Sequence, residues 1–153
     1  WHYSILKYKY IKRKKVDYFT SGVNFLVKYY QLFGPGFNQN VFKVEEEIEF
    51  KVGQYTIKSI IDRIDVDGPN KIHIIDYKTG RKMLSNKKMI SDMQMGMYGL
   101  GVSSLYKDAS EIILSHYYLA TNKFVSVKYT HINSVSLLSF ILHTFFKAFV
   151  LIA

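Results

Sequence analysis

The stretch Ile60-Ile61-Asp62-Arg63-Ile64-Asp65, followed by Ile72-His73-Ile74-Ile75-Asp76-Tyr77-Lys78-Thr79-Gly80, decides how the middle of this chain folds. Each half reads as a short β-branched strand that closes on an acid. The residues between them, Asp67-Gly68-Pro69-Asn70, have the composition of a turn, so the two strands are expected to pair as a hairpin. Successive side chains of a strand point to opposite faces, which puts Asp76 and Lys78 on the same one. In that hairpin Asp62 comes level with Asp76. Two carboxylates and an ammonium in one small volume are the groups that a hard divalent ion and phosphodiester hydrolysis call for. The plain alternative is a surface hairpin carrying an exposed ion pair.

Working outward, Lys15 to Phe33 has helical spacing, with Phe19, Val23, Leu26, Val27 and Tyr30 on one side, and Gly34-Pro35-Gly36 ends it. Val41 to Val52 alternates as Phe42, Val44, Glu46, Ile48, Phe50, and Gly53-Gln54 turns into a strand over Tyr55 to Asp65. With Lys71 to Lys78 these strands form a meander. A polar basic stretch follows Gly80 and reads as a loop. Met89 to Tyr106 returns to helical spacing. Ser110 to Ala120 and Lys123 to Thr130 read as two more strands around Thr121-Asn122, and a last helix is expected from an N-cap at Asn133. The order α-β-β-β-α-β-β-α predicts one α/β domain over residues 1–153.

The bulk properties narrow the partners. A chain of 153 residues with 48% hydrophobic and 22% charged residues has a globular composition. The net charge of +9 and pI near 9.5 favour an anionic partner, nucleic acid first and an anionic membrane surface second. With no cysteine, disulfides, thiolate zinc sites and cysteine-held iron–sulfur clusters are excluded in this chain, in keeping with a reducing compartment. The chain opens at Trp1, not methionine, so it is expected to be a piece of a larger protein. Residues 136–153 are apolar apart from Ser139, His143, Thr144 and Lys147, just short of the ~20 residues that span a bilayer. A buried terminal helix is the first reading of that tail, with a membrane anchor or a non-native tail from a truncated reading frame as the alternatives.

The segments Ile-Asp-Arg-Ile-Asp (61–65), Ile-Ile-Asp-Tyr-Lys-Thr-Gly (74–80) and Gln94-Met-Gly-Met-Tyr98 together resemble the PD-(D/E)XK nuclease superfamily. Within it they are most similar to the RecB-like branch found in helicase–nuclease subunits and CRISPR-associated exonucleases. The resemblance implies a restriction-endonuclease-like mixed sheet flanked by helices, and Mg²⁺- or Mn²⁺-dependent cleavage of DNA. It implies that Asp62 and Asp76 bind metal with the backbone carbonyl of Tyr77, and that Lys78 orients or deprotonates the attacking water. Gln94 and Tyr98 match a helical Gln-x-x-x-Tyr motif beside the site. Spacing of four puts them on one helical face, where Tyr98 also suits a core aromatic. In the acidic strand Val44-Glu45-Glu46-Glu47-Ile48, Glu47 is the expected supporting carboxylate, with Glu45 next to it in rank. A solvated acidic edge is the other reading.

Three departures from the family pattern stand out. Ser59 occupies the position before the Asp-Arg strand where the family prefers Gly. His2 is poorly placed for the family's upstream histidine, and the C-terminal cysteine cluster of one branch has no counterpart. Basic residues gather in two places, Lys7 to Lys15 and then Arg81, Lys82, Lys87 and Lys88, directly after the Asp-Tyr-Lys segment. Both suit phosphate contacts, and both equally suit a solvated surface. The expected activity is therefore a metal-dependent deoxyribonuclease, exonucleolytic by resemblance, in DNA repair, recombination or CRISPR-associated processing. A helicase domain or subunit is the expected protein partner, with DNA as single strands or duplex ends and no membrane role. The expected location is cytoplasmic and nucleoid-associated, or another intracellular DNA-containing compartment. The competing reading is a non-catalytic DNA-binding or scaffold module.

Overall fold

The computed structural model describes residues 12–34 and 39–129. The chain divides into two compact units, Trp1–Asn38 and Gln39–Ala153. The first contains helix α1 (Lys12–Phe33), which begins a turn earlier than the spacing predicts. Gly34 ends it at φ 61°, a left-handed geometry that glycine adopts without penalty, and its N–H returns to the Tyr30 carbonyl at 2.6 Å.

The second unit is a five-stranded sheet with strand order β1-β2-β3-β4-β5. Its strands are β1 (Val41–Val52), β2 (Tyr55–Asp67), β3 (Lys71–Lys78), β4 (Glu111–Tyr118) and β5 (Lys123–Lys128). Neighbours are antiparallel except β3 and β4, which run parallel. Parallel neighbours need a long crossover, and helices α2 (Asn86–Ile90) and α3 (Met93–Leu105) provide it. The three hairpin turns each use a left-handed residue at the expected place: Gly53, then Gly68 with Asn70, then Asn122. This is the predicted mixed sheet with helices, in the predicted order through β5.

Two details differ from the expectation. The helix expected over Met89 to Tyr106 is broken at Ser91-Asp92. Ser85 caps α2 through the Lys88 N–H, and the Asp92 carboxylate caps α3 through the Met95 N–H at 3.0 Å. The basic stretch after Gly80 is accordingly a loop only as far as Ser85, and Lys87 and Lys88 lie on helix α2. The helix expected from Asn133, the apolar tail at 136–153, and Lys7 and Lys9 lie outside the described residues. Among the described residues no helix is long and apolar enough to cross a membrane.

The core lies between the sheet and α3. Ile61, Ile64, Ile74, Met95 and Val102 are fully buried there, with Ile48, Phe50 and Leu114 around them. Ile61 and Ile64 belong to this one cluster, although regular alternation would send them to opposite faces. Strand β2 must therefore roll between them, and Asp62 and Arg63 sit on that roll. Opposite, in the gap between the pairs Val44↔Arg63 and Glu46↔Ile61, Glu45 has a left-handed φ of 49°.

Helix α3 approaches β1 closely at Gly101. A Cβ there would lie 2.5 Å from Ile48 Cδ1 and 2.7 Å from the Phe50 ring. Overpacking a filled core costs about 1–3 kcal/mol. Gly101→Val is expected to lower the urea unfolding free energy by that amount, whereas Gly22→Ala, with nothing within 4 Å of its added Cβ, should not.

Candidate active site

The β2–β3 ladder ends at the pair Arg63↔Ile75, so Asp62 and Asp76 are the next residues along and face each other where the strands separate. The separation strands backbone groups that need partners. The Tyr77 N–H donates to Asp62 Oδ2 at 2.8 Å, so the carboxylate stands in for the missing carbonyl. The Ile60 carbonyl, on the departing part of β2, accepts the Tyr98 hydroxyl at 2.7 Å. A side chain from β2 and one from α3 thus hold the fork open.

Arg63 explains why Asp62 points into the fork. Its guanidinium forms a two-point pair with Asp65, Nε to Oδ1 at 2.6 Å and Nη2 to Oδ2 at 2.5 Å, both side chains almost fully buried. A planar fork meeting a carboxylate is a stiff contact, and it pins two alternate positions of β2 to one side. The residue between and the residue before are then committed to the other. His73, Ser115 and Ser126 continue the Arg63 face, linked at 2.6 and 2.7 Å across β3, β4 and β5.

Asp76 and Lys78 do share a face. Lys78 Nζ lies 2.7 Å from Asp76 Oδ2, a close ion pair. The same Nζ donates to Gln94 Oε1 at 2.8 Å, and Gln94 Nε2 donates to the Tyr98 hydroxyl at 3.0 Å. An unbroken relay therefore runs from the Ile60 carbonyl through Tyr98 and Gln94 to the lysine. Gln94 and Tyr98 sit one helical turn apart, which lets one face of α3 supply both. Tyr98 is also a buried core residue, as its helical spacing allows.

Burial raises the Asp76 carboxyl above the ordinary carboxylate range. Lys78 opposes that shift and the charge of Asp62 adds to it. Such a group favours folding while protonated and loses that contribution as pH rises through its raised value.

Not every expected residue reaches this point. Glu47 pairs with Ile60 in the β1–β2 register, and its carboxylate lies 3.8 Å from Lys58 on an exposed surface. Regular pairing fills that position of β1 with a solvated charge. Glu45 is the acid level with Asp62 along the strand, and it too is exposed. Arg81, Lys82, Lys87 and Lys88 are all exposed, the first two just past the end of β3 and the other two on α2. Tyr77 enters through its N–H, a role its sequence position does not reveal.

His116 is the residue that sequence reasoning missed. It pairs with Asp76 in the parallel β3–β4 register, is 1% exposed, and puts Nε2 3.8 Å from Asp76 Oδ2. Only the offset between two strands far apart in sequence brings it there, and no local pattern encodes that offset.

The donor set suits a partly hydrated hard ion. Among the described residues no three carboxylate, imidazole or thiol side chains cage a metal by themselves. Mg²⁺ in particular is usually held by one or two carboxylates, completed by water and substrate phosphate. Asp62 and Asp76 are the two carboxylates the fork offers such an ion, with Asp76 Oδ2 also 2.7 Å from the Lys78 ammonium.

The family profile of the PD-(D/E)XK nuclease superfamily matches residues 4–134. The chain belongs to that superfamily, whose members are nucleases that generally use divalent metals. No curated protein matches the chain. Among solved structures, the crystal structure of SSO0001 is similar, with 20% identity and a TM-score of 0.47 over 84% of this chain. This chain spans 59% of that one's length.

Two outcomes follow from the geometry. In chelator, Asp76→Asn should raise the unfolding midpoint at neutral pH, and the gap should close on acidification below the ordinary carboxylate range, read by thermal melts. Tyr98→Phe leaves the Ile60 carbonyl without its donor and should cost about 1 kcal/mol in a urea titration.

Proposed function

We propose that this protein is a divalent-metal-dependent DNA nuclease of the RecB-like branch, acting exonucleolytically on single strands or duplex ends. The observation that carries this is the fork itself. Asp62 and Asp76 face each other, and Lys78 is held beside them by the Gln94–Tyr98 relay. The three sequence segments of that branch thus supply one cluster.

Asp62 and Asp76 would hold Mg²⁺ or Mn²⁺, with the Tyr77 carbonyl at hand. A bound ion supplies Lewis acidity and lowers the pKa of coordinated water. Lys78 presents its ammonium where negative charge grows on the phosphate and orients the attacking water, and Gln94 keeps it from swinging away. Arg81, Lys82, Lys87 and Lys88 give the strand leaving the site a run of phosphate contacts. A role in repair, recombination or CRISPR-associated processing, alongside a helicase domain or subunit and inside a DNA-containing compartment, fits this chemistry.

A second reading is a DNA-binding module that keeps the fold without cutting. It is favoured by the absence, among the described residues, of a third carboxylate or imidazole completing a cage. One experiment separates the two. With Mn²⁺ or Mg²⁺, Asp76→Ala and Lys78→Ala should each slow cleavage of single- and double-stranded DNA by about 100-fold or more. Cleavage at the parental rate in Asp76→Ala sinks the enzyme reading, and salt-sensitive binding with no cleavage by the parent chain establishes the module.

A further inference from the structure

Glu45 holds a backbone conformation that its place in a strand does not explain. Its φ is 49°, inside β1. The other left-handed residues among the described ones are Gly34, Gly53, Gly68, Asn70 and Asn122, all at a helix end or in a hairpin turn. Those are the residue types and places that tolerate the left-handed region, and a glutamate within a strand is neither. Such strain persists only where the surrounding structure over-determines it. Glu45 is exposed, so the packing of its own side chain does not account for it.

The register supplies the cause. Ile61 and Ile64 are three residues apart and both buried in one core, so β2 rolls by one face between them. Their partners on β1 are Glu46 and Lys43, also three apart, so β1 has to roll over the same span. Glu45 lies within it, opposite Asp62. The pair Glu45↔Asp62 is missing from a ladder that runs on either side as Val44↔Arg63 and Glu46↔Ile61. The roll decides where Asp62 points. With Ile61 in the core, a β2 that kept alternating would send Asp62 to the opposite face of the sheet. Asp76 shares its face with the core residue Ile74. Only the rolled strand brings the Asp62 carboxylate to the fork, where it takes the Tyr77 N–H at 2.8 Å.

We infer that Glu45 is a positioning residue for Asp62, acting through its left-handed backbone and not through its carboxylate. One left-handed residue lets β1 follow the roll of β2, and that roll turns Asp62 toward Asp76. An extended residue at the same position would carry the β1–β2 ladder straight through Asp62 and draw its carboxylate out of the fork. The effect on catalysis rests on the nuclease reading of the fork, whereas the placement of Asp62 does not.

The test measures hydrogen exchange at the Tyr77 amide by NMR, and DNA cleavage with Mn²⁺, both on the full chain. Glu45→Val disfavours the left-handed region strongly, because its side chain is β-branched. It should speed Tyr77 exchange by about 10-fold or more and lower kcat by about 10-fold, with KM for DNA within about 2-fold of the parent. Glu45→Gly allows the conformation and Glu45→Gln removes only the charge, so both should keep Tyr77 protected and retain kcat. Should Glu45→Val fail to fold, Glu45→Thr takes its place with the same directions expected. Tyr77 exchange at the parental rate in the β-branched variant overturns the inference and leaves the nuclease reading intact. Loss of cleavage in Glu45→Gln with Tyr77 still protected also overturns it, because the carboxylate is then the working group. Tyr77 exchange that responds as expected in a parent chain that cuts no DNA overturns the nuclease reading and keeps Glu45 as the residue that places Asp62.

Discussion

The hydrogen bond from the Tyr77 N–H to the Asp62 carboxylate is the contact on which the site depends. An antiparallel ladder cannot stop inside a protein without stranding backbone donors and acceptors. Here the ladder stops because a side chain takes over from the backbone. Asp62 therefore has two duties: it closes the end of the β2–β3 pairing and it faces Asp76 across the gap. The Tyr98 hydroxyl on the Ile60 carbonyl does the matching work on the departing strand.

Polar groups at such a fork are costly, and the protein has arranged them so that most support one another. Arg63 and Asp65 lock β2 from the far side with a buried pair whose geometry leaves little freedom. Lys78 is held from two directions, by the Asp76 carboxylate and the Gln94 amide. His116 is the exception, buried with neither ring nitrogen hydrogen-bonded among the described residues. Buried polar groups left unsatisfied are rare in folded proteins and tend to collect at functional sites.

The helices matter chiefly for what they press against the sheet. α3 brings Met95 and Val102 into the core, and the same helix carries Gln94 and Tyr98 to the fork. Packing and chemistry are coupled through one rigid element, so a change in how α3 seats would move the lysine's support. The close approach at Gly101 sets that seating on the β1 side.

Much of this was legible from residue order. Alternation of β-branched residues, Gly and Asn at the turns, and the helical spacing before Tyr106 are local signals, each written in a handful of neighbours. They place β1 to β5, and the hairpin across Asp67-Gly68-Pro69-Asn70 puts Asp62 level with Asp76. The pairing of Asp76 with Lys78, and of Gln94 with Tyr98, follows from the periods of two and four of a regular strand and helix. Other features had no local trace. The parallel register that sets His116 beside Asp76 joins strands separated by a whole crossover, and only the packing of α2 and α3 selects it. The roll of β2 between Ile61 and Ile64 arises because both isoleucines are drawn into one core, against their own alternation. Glu47 is the acid favoured from sequence, ahead of Glu45, but regular pairing with Ile60 sets it away from the fork. Local periodicity chose the elements, and burial with long-range pairing chose which of their side chains meet.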